Sequence, residues 1–213
     1  MNIALYFGSF NPIHKGHTAL AQYILQHYNA HECTNPMETI DEVWLVVSPN
    51  NPLKKADELA SEMLRLKIAE DATKDMKNIR VSDLEFSLPK PNYTINSLRE
   101  FQRQYPQHSF TLVIGSDNMA RFNRWRDYQT ILDNYSILVY PREGDDIEKL
   151  KVLYPQMRVI EGAPLFPISS TEIRNAIAQG NHNLDKWLHN PDSIFLRFYL
   201  HSSEKNSTFA TDN

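Results

Sequence analysis

The chain has 213 residues and a formal net charge of −4 at pH 7, and 41% of its residues are hydrophobic and 23% charged. This composition is typical of a globular protein with a full hydrophobic core, and the mildly acidic balance disfavours a nucleic-acid partner. The single cysteine, Cys33, excludes an internal disulfide and fits a reducing cytoplasm, which is where we expect the protein to act.

Short apolar runs alternate with helical patterns along almost the whole chain. The runs typical of buried strands are Ile3–Phe7, Val43–Ser48, Ile79–Ser82, Phe110–Ile114, Tyr135–Tyr140 and Arg158–Ile160. Helical patterns cover about 16–29, 57–74, 94–105, 170–179 and 192–201, with further helical turns after Gly115-Ser116-Asp117. This alternation predicts an α/β fold with a doubly wound parallel sheet, in which ligands bind beyond the carboxyl ends of the strands.

The pattern predicts one domain over residues 1–202 and a polar, frayed tail over 203–213. Proline-bearing loops at Pro49–Pro52, Pro89–Pro91 and Pro164–Pro167 each follow a strand candidate, so we expect them to border a site rather than link domains. No apolar stretch is long enough to cross a bilayer, and the first strand pattern stands where a secretory signal would have a basic segment and an apolar core. We therefore expect no membrane contact.

The junction between the first strand and the first helix carries the strongest chemical signal. The strand breaks at Gly8-Ser9-Phe10-Asn11-Pro12, and His14 and His17 follow where the helix begins. Free backbone N–H groups and the helix dipole favour negative charge at such a junction, and imidazoles add hydrogen bonds that become charge-assisted when protonated. We interpret it as a polyphosphate site of a nucleotide. Two histidines could also hold a transition metal, but no third ligand lies close by in sequence.

A second anion-binding signal lies near the C-terminal end. The segment Ile168-Ser169-Ser170-Thr171-Glu172-Ile173-Arg174 opens a helix with hydroxyl residues that can cap it, and Arg174 can reach a phosphate. On its own the segment also fits an ordinary helix cap with a solvated arginine.

These two segments resemble the signatures of the nucleotidyltransferase superfamily with the (H/T)xGH motif, the second of which is ISSTxIR. The middle of the chain resembles the bacterial nicotinate-nucleotide adenylyltransferases. Three stretches carry that likeness: Ser48-Pro49-Asn50-Asn51-Pro52-Leu53-Lys54 with Arg65 beyond it, the "sYTxdTL"-like segment Pro91–Leu98, and Gly115-Ser116-Asp117 with Trp125 eight positions after the aspartate. Asn11 departs from the pattern, because many relatives have aspartate there.

The resemblance implies a Rossmann-like nucleotidyltransferase that transfers AMP from ATP to nicotinate mononucleotide in NAD biosynthesis, with Mg²⁺ arriving on the ATP and no dedicated metal ligands. It implies catalytic roles for His14, His17, Lys54 and Arg174. For ATP binding it implies Gly8, Ser9, Phe10, His14, Gly16, His17, Gly115, Asp117, Ile168, Ser169, Ser170 and Arg174. For the acceptor it implies Ser9, Asn11, Lys54, Arg65, Tyr93, Thr94 and Trp125, with the indole of Trp125 stacking on the pyridine ring.

Other functions stay open on the sequence alone. Nicotinamide mononucleotide or phosphopantetheine are alternative acceptors, although phosphopantetheine enzymes usually carry threonine at the position of His14. A nucleotide-binding regulator without turnover is the alternative outside enzymes. The absence of G-x-G-x-x-G after the first strand disfavours a dinucleotide-dependent oxidoreductase. The oligomeric state is also open, and a homo-oligomer is among the alternatives.

Overall fold

The computed structural model describes residues 1–29, 35, 38–49, 59–163, 166–181, 183–190, 193, 196–197 and 199. The strands in these residues are β1 Asn2–Gly8, β2 Glu42–Val47, β3 Ile79–Ser82, β4 Ser109–Gly115, β5 Ser136–Tyr140 and β6 Arg158–Val159. They form one parallel sheet in the order β3-β2-β1-β4-β5-β6. The predicted doubly wound α/β fold is therefore confirmed.

Helices connect the strands on both faces of the sheet. They are α1 Lys15–His27, α2 Glu62–Thr73, α3 Thr94–Gln104, α4 Ser116–Met119, α5 Tyr128–Asn134, α6 Ile147–Leu153 and α7 Ser170–Ala178, with short 3-10 helices at Leu84–Ser87 and Phe122–Arg124. None of the helices in the described ranges is both long enough and apolar enough to pass through a membrane.

The bounds of all six strands lie within one residue of the prediction. Helix α2 begins later than predicted because Ser61 caps it, with the Leu64 amide donating to the Ser61 hydroxyl over 3.3 Å. Helices α5 and α6 were not predicted, because each buries a single residue, Ile131 or Leu150, and so shows no helical apolar period. The predicted tail over 203–213 lies outside the described residues, as does most of the predicted last helix.

The core has two layers, one on each face of the sheet. Alternate residues of β1 enter different layers: Ala4 packs with residues of α1, α2 and α7, whereas Leu5 packs with residues of α3, α5 and α6. Both residues are fully buried. Burial on both faces explains why the strands are continuous apolar runs rather than alternating ones.

The order of the strands determines where along the sheet a binding site can form. Strand β1 lies between β2 and β4. Helix α1, which leads from β1 to β2, and helix α3, which leads from β3 to β4, pack on opposite faces of the sheet. The carboxyl ends of β1 and β4 therefore form the point at which the winding reverses, where doubly wound sheets open a crevice. The turn over residues 9–14 and the start of α4 border this crevice.

Candidate active site

The turn after β1 is held by its own aromatic packing. Phe10 has φ 42°, in the left-handed region that a bulky side chain rarely adopts. The residue is 1% exposed, and its ring packs edge-on against those of Tyr6 and His17, with centroids 5.7 and 5.0 Å away. A Cβ on Gly8 would lie 2.8 Å from this ring, so glycine is required at that position for the turn to close.

His14 and His17 form a pair at the start of α1. Their ring centroids are 3.7 Å apart, and the His14 amide donates a hydrogen bond to Nδ1 of His17 over 3.2 Å. Because that nitrogen accepts, the proton of a neutral His17 ring lies on Nε2, which is then a donor. A Cβ on Gly16 would come within 3.0 Å of Nδ1 of His14 and 3.2 Å of the Ile168 side chain, so glycine lets these groups approach.

His14 is a neutral imidazole near pH 7. The residue is 5% exposed, and its Nδ1 is buried without a hydrogen-bond partner among the described residues. Burial first, and then the positive charge of Arg142, lowers the pKa of His14 to about 4, while Glu172 opposes the shift. The hydrogen bonds of His14 are consequently those of a neutral ring, and the charge-assisted form that the sequence suggested does not apply to it at neutral pH.

The serine-rich start of α7 lies directly on this turn. The Ser170 hydroxyl donates to the carbonyl of Pro12 over 3.0 Å, and Nη1 of Arg174 donates to the carbonyl of Asn11 over 2.9 Å. Ser169 caps α7 by accepting from the Glu172 amide over 3.2 Å. The two predicted signatures are thus joined, and we call the segments Gly8–His17 and Ile168–Arg174 together the cradle.

The end of β4 adds a charged network beside the cradle. The guanidinium Nε of Arg142 lies 3.3 Å from Oδ1 of Asp117, and its Nη2 donates to the Tyr140 hydroxyl over 2.8 Å. The backbone of Gly115 passes so close to Asp117 and Arg142 that a side chain there would collide with them. Arg142 was not predicted. The signal that could have found it is its position two residues beyond the end of β5, at the same edge of the sheet as the cradle.

Arg65 lies beneath the site rather than in it. The residue is fully buried, and its guanidinium donates to four backbone carbonyls: those of Ala60, Ser48 and Pro49 at 2.9, 2.8 and 2.9 Å, and that of Ser9. Burial lowers the pKa of this guanidinium. These contacts join the loops after β1 and β2. In this arrangement Arg65 positions the loops, in contrast to the acceptor contact that the resemblance implied.

Asn11 is similarly enclosed within the turn. It is 1% exposed, and its Oδ1 accepts from the Ala60 amide over 3.2 Å. Lys54, which was predicted to take part in catalysis and to contact the acceptor, lies outside the described residues, as does Cys33.

A cavity of about 370 Å³ opens beside the cradle at the carboxyl ends of β1 and β4. Its size is within the range of small-ligand pockets. Tyr6 lines it, and the centroid of the Tyr6 ring lies 6.1 Å from that of His17. The predicted residues that line this cavity are Gly8, Ser9, Tyr93, Thr94, Gly115 and Trp125.

The lining also includes polar residues that were not among the predicted site residues, and those with a charged or buried polar group are Glu85, Asn92, Arg121, Arg124 and Arg126. Glu85 is 3% exposed and accepts a hydrogen bond from the Ser97 hydroxyl; burial raises the pKa of its carboxyl group, and hydrogen bonds from Ser97 and Ser48 oppose the shift. Asn92 donates to the Glu85 carbonyl over 2.9 Å, whereas its buried Oδ1 has no partner among the described residues. The sequence signal that could have found these lining residues is their nearness in the chain to Tyr93 and Trp125.

Comparison with known proteins shows which family the chain resembles. The cytidylyltransferase-like family model matches residues 5–176. A relative from Flavobacterium johnsoniae, named probable nicotinate-nucleotide adenylyltransferase, is 41% identical over 85% of this chain and 89% of its own length. This chain belongs to the nicotinate-nucleotide adenylyltransferase family. A member from Bacteroides fragilis with the same name is 43% identical over 92% of this chain and 86% of its own length.

Solved structures agree with the fold of the nicotinate-nucleotide adenylyltransferase family. The structure of Plasmodium falciparum nicotinic acid mononucleotide adenylyltransferase complexed with NaAD aligns with a TM-score of 0.73, covering 93% of this chain and 95% of that one at 22% identity. The putative nicotinate-nucleotide adenylyltransferase of Vibrio parahaemolyticus aligns with a TM-score of 0.66 over 96% of both chains, also at 22% identity. The resemblance found in the sequence is therefore confirmed at the level of family and fold.

Proposed function

We propose that this chain transfers AMP from ATP to nicotinate mononucleotide, giving deamido-NAD and pyrophosphate. The observation that carries the proposal is the adjacency of two features: the hydrogen-bonded cradle with its histidine pair, and an aromatic-lined cavity that shares Gly8 and Ser9 with the cradle. The names of the curated relatives support the same reaction.

The cradle suits the triphosphate of ATP. His17 and His14 bring imidazole rings to this region, and the N-termini of α1 and α7 both lie at it with their positive dipole ends. The guanidinium groups of Arg174 and Arg142 add positive charge on two sides. We assign Asp117 to the ribose or base of the nucleotide, because it lies at the start of α4 beside Gly115.

The cavity suits a pyridine mononucleotide. The Trp125 indole and the Tyr93 ring provide flat surfaces on which a pyridine can stack. Thr94 begins α3, an eleven-residue helix, so backbone amides and a hydroxyl can donate to a ring carboxylate there.

The reaction needs positioning and charge stabilisation more than proton transfer. An oxygen of the acceptor phosphate attacks the α-phosphorus of ATP in line, forming a new P–O bond while the bond to the β-phosphate oxygen breaks and pyrophosphate leaves. A phosphate monoester is already anionic near neutral pH, so no enzymic base is required. Preorganised donors in the cradle would stabilise the charge that develops on pyrophosphate.

We propose that Mg²⁺ accompanies ATP. In the described part of the chain, no three His, Cys, Asp or Glu side chains are grouped so that they could hold a metal ion. We propose that the ion binds mainly through the phosphate oxygens of ATP. When bound, the ion would neutralise phosphate charge. Lys54 stays a predicted contributor to the same task. The cytoplasmic location expected from the composition also stays a prediction.

The test is pyrophosphate release by the purified protein with ATP and Mg²⁺, measured separately with nicotinate mononucleotide, nicotinamide mononucleotide and phosphopantetheine. We expect release with the acid mononucleotide and identification of deamido-NAD by mass spectrometry. Tight ATP binding without release would instead favour the regulator. Preferred turnover of either other acceptor would correct the substrate and retain the chemistry.

A further inference from the structure

The two arginines that flank Trp125 in sequence both line the cavity. Basic residues in a loop are usually solvated, so sequence alone gives little reason to assign them a role. Their surroundings differ. Arg124 ends a 3-10 helix, whereas Arg126 lies on the side of the loop that faces the start of α3.

The guanidinium group of Arg126 lies over the ring of Tyr93, with its Cζ 5.1 Å from the ring centroid. This cation–π contact restricts a side chain that would otherwise be free in solvent. Tyr93 immediately precedes α3, and its carbonyl accepts the first helical hydrogen bond, from the Asn96 amide over 2.9 Å. The contact therefore brings the guanidinium of Arg126 near Thr94, where the resemblance locates the acceptor.

Contacts on both sides keep the backbone of Arg126 in place. The Trp125 ring packs on Phe122 with centroids 5.1 Å apart. On the other side, the carboxylate of Asp127 lies 3.8 Å from Nη1 of Arg99, which belongs to α3. The loop is thus attached to the core before Arg126 and to α3 after it.

The charges at this part of the cavity are predominantly positive. Arg121, Arg124 and Arg126 all line it, and Glu85 is the acidic residue among the described residues of the lining. Glu85 is already hydrogen-bonded to the Ser97 hydroxyl. An anionic group on the ligand would therefore meet unmatched positive charge near Tyr93 and Trp125.

We propose that the Arg126 side chain selects the acid over the amide form of the acceptor by donating hydrogen bonds to the ring carboxylate. The proposal rests on the proposed function and deepens it. A carboxylate and a carboxamide have nearly the same shape, so discrimination depends on charge and on donors and acceptors. Guanidinium offers only donors and a positive charge, which match two carboxylate oxygens but leave the amide NH₂ group without an acceptor.

The experiment measures kcat/KM for nicotinate and nicotinamide mononucleotides in the wild-type enzyme and in Arg126→Gln, Arg126→Lys and Arg124→Gln. We expect Arg126→Gln to lower the acid-to-amide ratio about tenfold, mainly through the acid, because one charge-assisted hydrogen-bonding group is lost. Arg126→Lys keeps the charge but loses the planar fork, so its ratio should be intermediate. Arg124→Gln removes an equal charge from the same cavity and should change both acceptors by the same factor.

Calorimetric titration of the same proteins with each mononucleotide, without ATP, separates this inference from the proposed function. If the wild-type protein releases no pyrophosphate with either acceptor, the proposed reaction is wrong, and the ratio of the two dissociation constants still decides the role of Arg126. An acid-to-amide ratio that is the same in Arg126→Gln and the wild type overturns the inference, and so does an equal change in Arg124→Gln and Arg126→Gln.

Discussion

The cradle and the cavity are built in different ways, although they share one edge of the sheet. In the cradle Asn11 and His14 are buried, at 1% and 5% exposed, and the half-buried Ser170 and Arg174 donate hydrogen bonds to carbonyls of the opening turn. The lining of the cavity instead includes exposed arginines and the half-buried Trp125. Donors that are fixed before the substrate binds need no reorganisation when charge develops. We therefore expect the cradle to control kcat and the cavity to control KM for the acceptor.

The substitution His17→Ala tests most directly whether the cradle controls kcat, and we expect it to have the largest effect. Loss of one preorganised donor to the leaving pyrophosphate should lower kcat by about 10²-fold or more while the fold stays intact. Steady-state kinetics with circular dichroism as the folding check measures both. His27→Ala is the matched control, because His27 ends the same helix and stacks on Tyr23, with centroids 3.7 Å apart. Near-normal turnover in folded His17→Ala would remove the histidine pair from the mechanism.

Arg65 tests whether the loops of the cradle need a buried support. Arg65→Met keeps most of the volume but leaves four carbonyls without their donor, so the free energy of unfolding should fall by about 3 kcal/mol. Urea denaturation measures this change. Lys67→Met, on the same helix, removes an exposed ion pair to Glu70 and should cost less than about 0.5 kcal/mol. Equal losses in the two variants would contradict the supporting role.

The cradle could be predicted from the sequence because its chemistry lies in local order. A glycine turn, two histidines at a helix start and a serine-rich cap each act mainly through nearby backbone, so their spacing indicates their geometry. The six strands could be located for the same reason, since a strand buried on both faces is a continuous apolar run. The hydrogen bonds from α7 to the carbonyls of Pro12 and Asn11 show that the two signatures touch.

The supporting and selecting residues could not be predicted, because their roles depend on tertiary contacts. Arg65 occurs in a helix, where a basic residue is normally solvated, and only the fold shows that its guanidinium faces four carbonyls. Arg142 acquires its role from strand order, which brings the end of β5 beside that of β4. Arg126 acquires its position from the ring of Tyr93, which precedes it by 33 positions in the chain.

The enclosure of His14 predicts a pH dependence of stability. Its pKa is about 4 in the folded protein and 6.5 when unperturbed, so the unfolded chain binds more protons between these values. Stability is therefore fully present above pH 6.5 and is lost as the pH falls toward 4, by roughly 2 kcal/mol between pH 7 and pH 5. Urea denaturation of the wild type and of His14→Gln at both pH values measures the free energy of unfolding. Because Glu85 and other groups titrate in both proteins, the difference between the two pH dependences gives the contribution of His14. An identical pH dependence in the two proteins would contradict the enclosed, neutral ring.

The smallest effect is expected at Trp125, which tests whether the cavity controls KM for the acceptor. Trp125→Leu removes a stacking surface worth about 1 kcal/mol, so KM for the acceptor should rise about fivefold while kcat and KM for ATP change less than twofold. Trp125→Phe retains a ring on the Phe122 side of the loop and should restore most of the affinity, which a purely structural role of the indole would not predict if both variants fold equally well. Steady-state kinetics with each substrate varied in turn measures the split. A fall in kcat comparable to that of His17→Ala would mean that the cradle and the cavity act as one unit. The assignment of kcat to the cradle and of KM for the acceptor to the cavity would then be wrong.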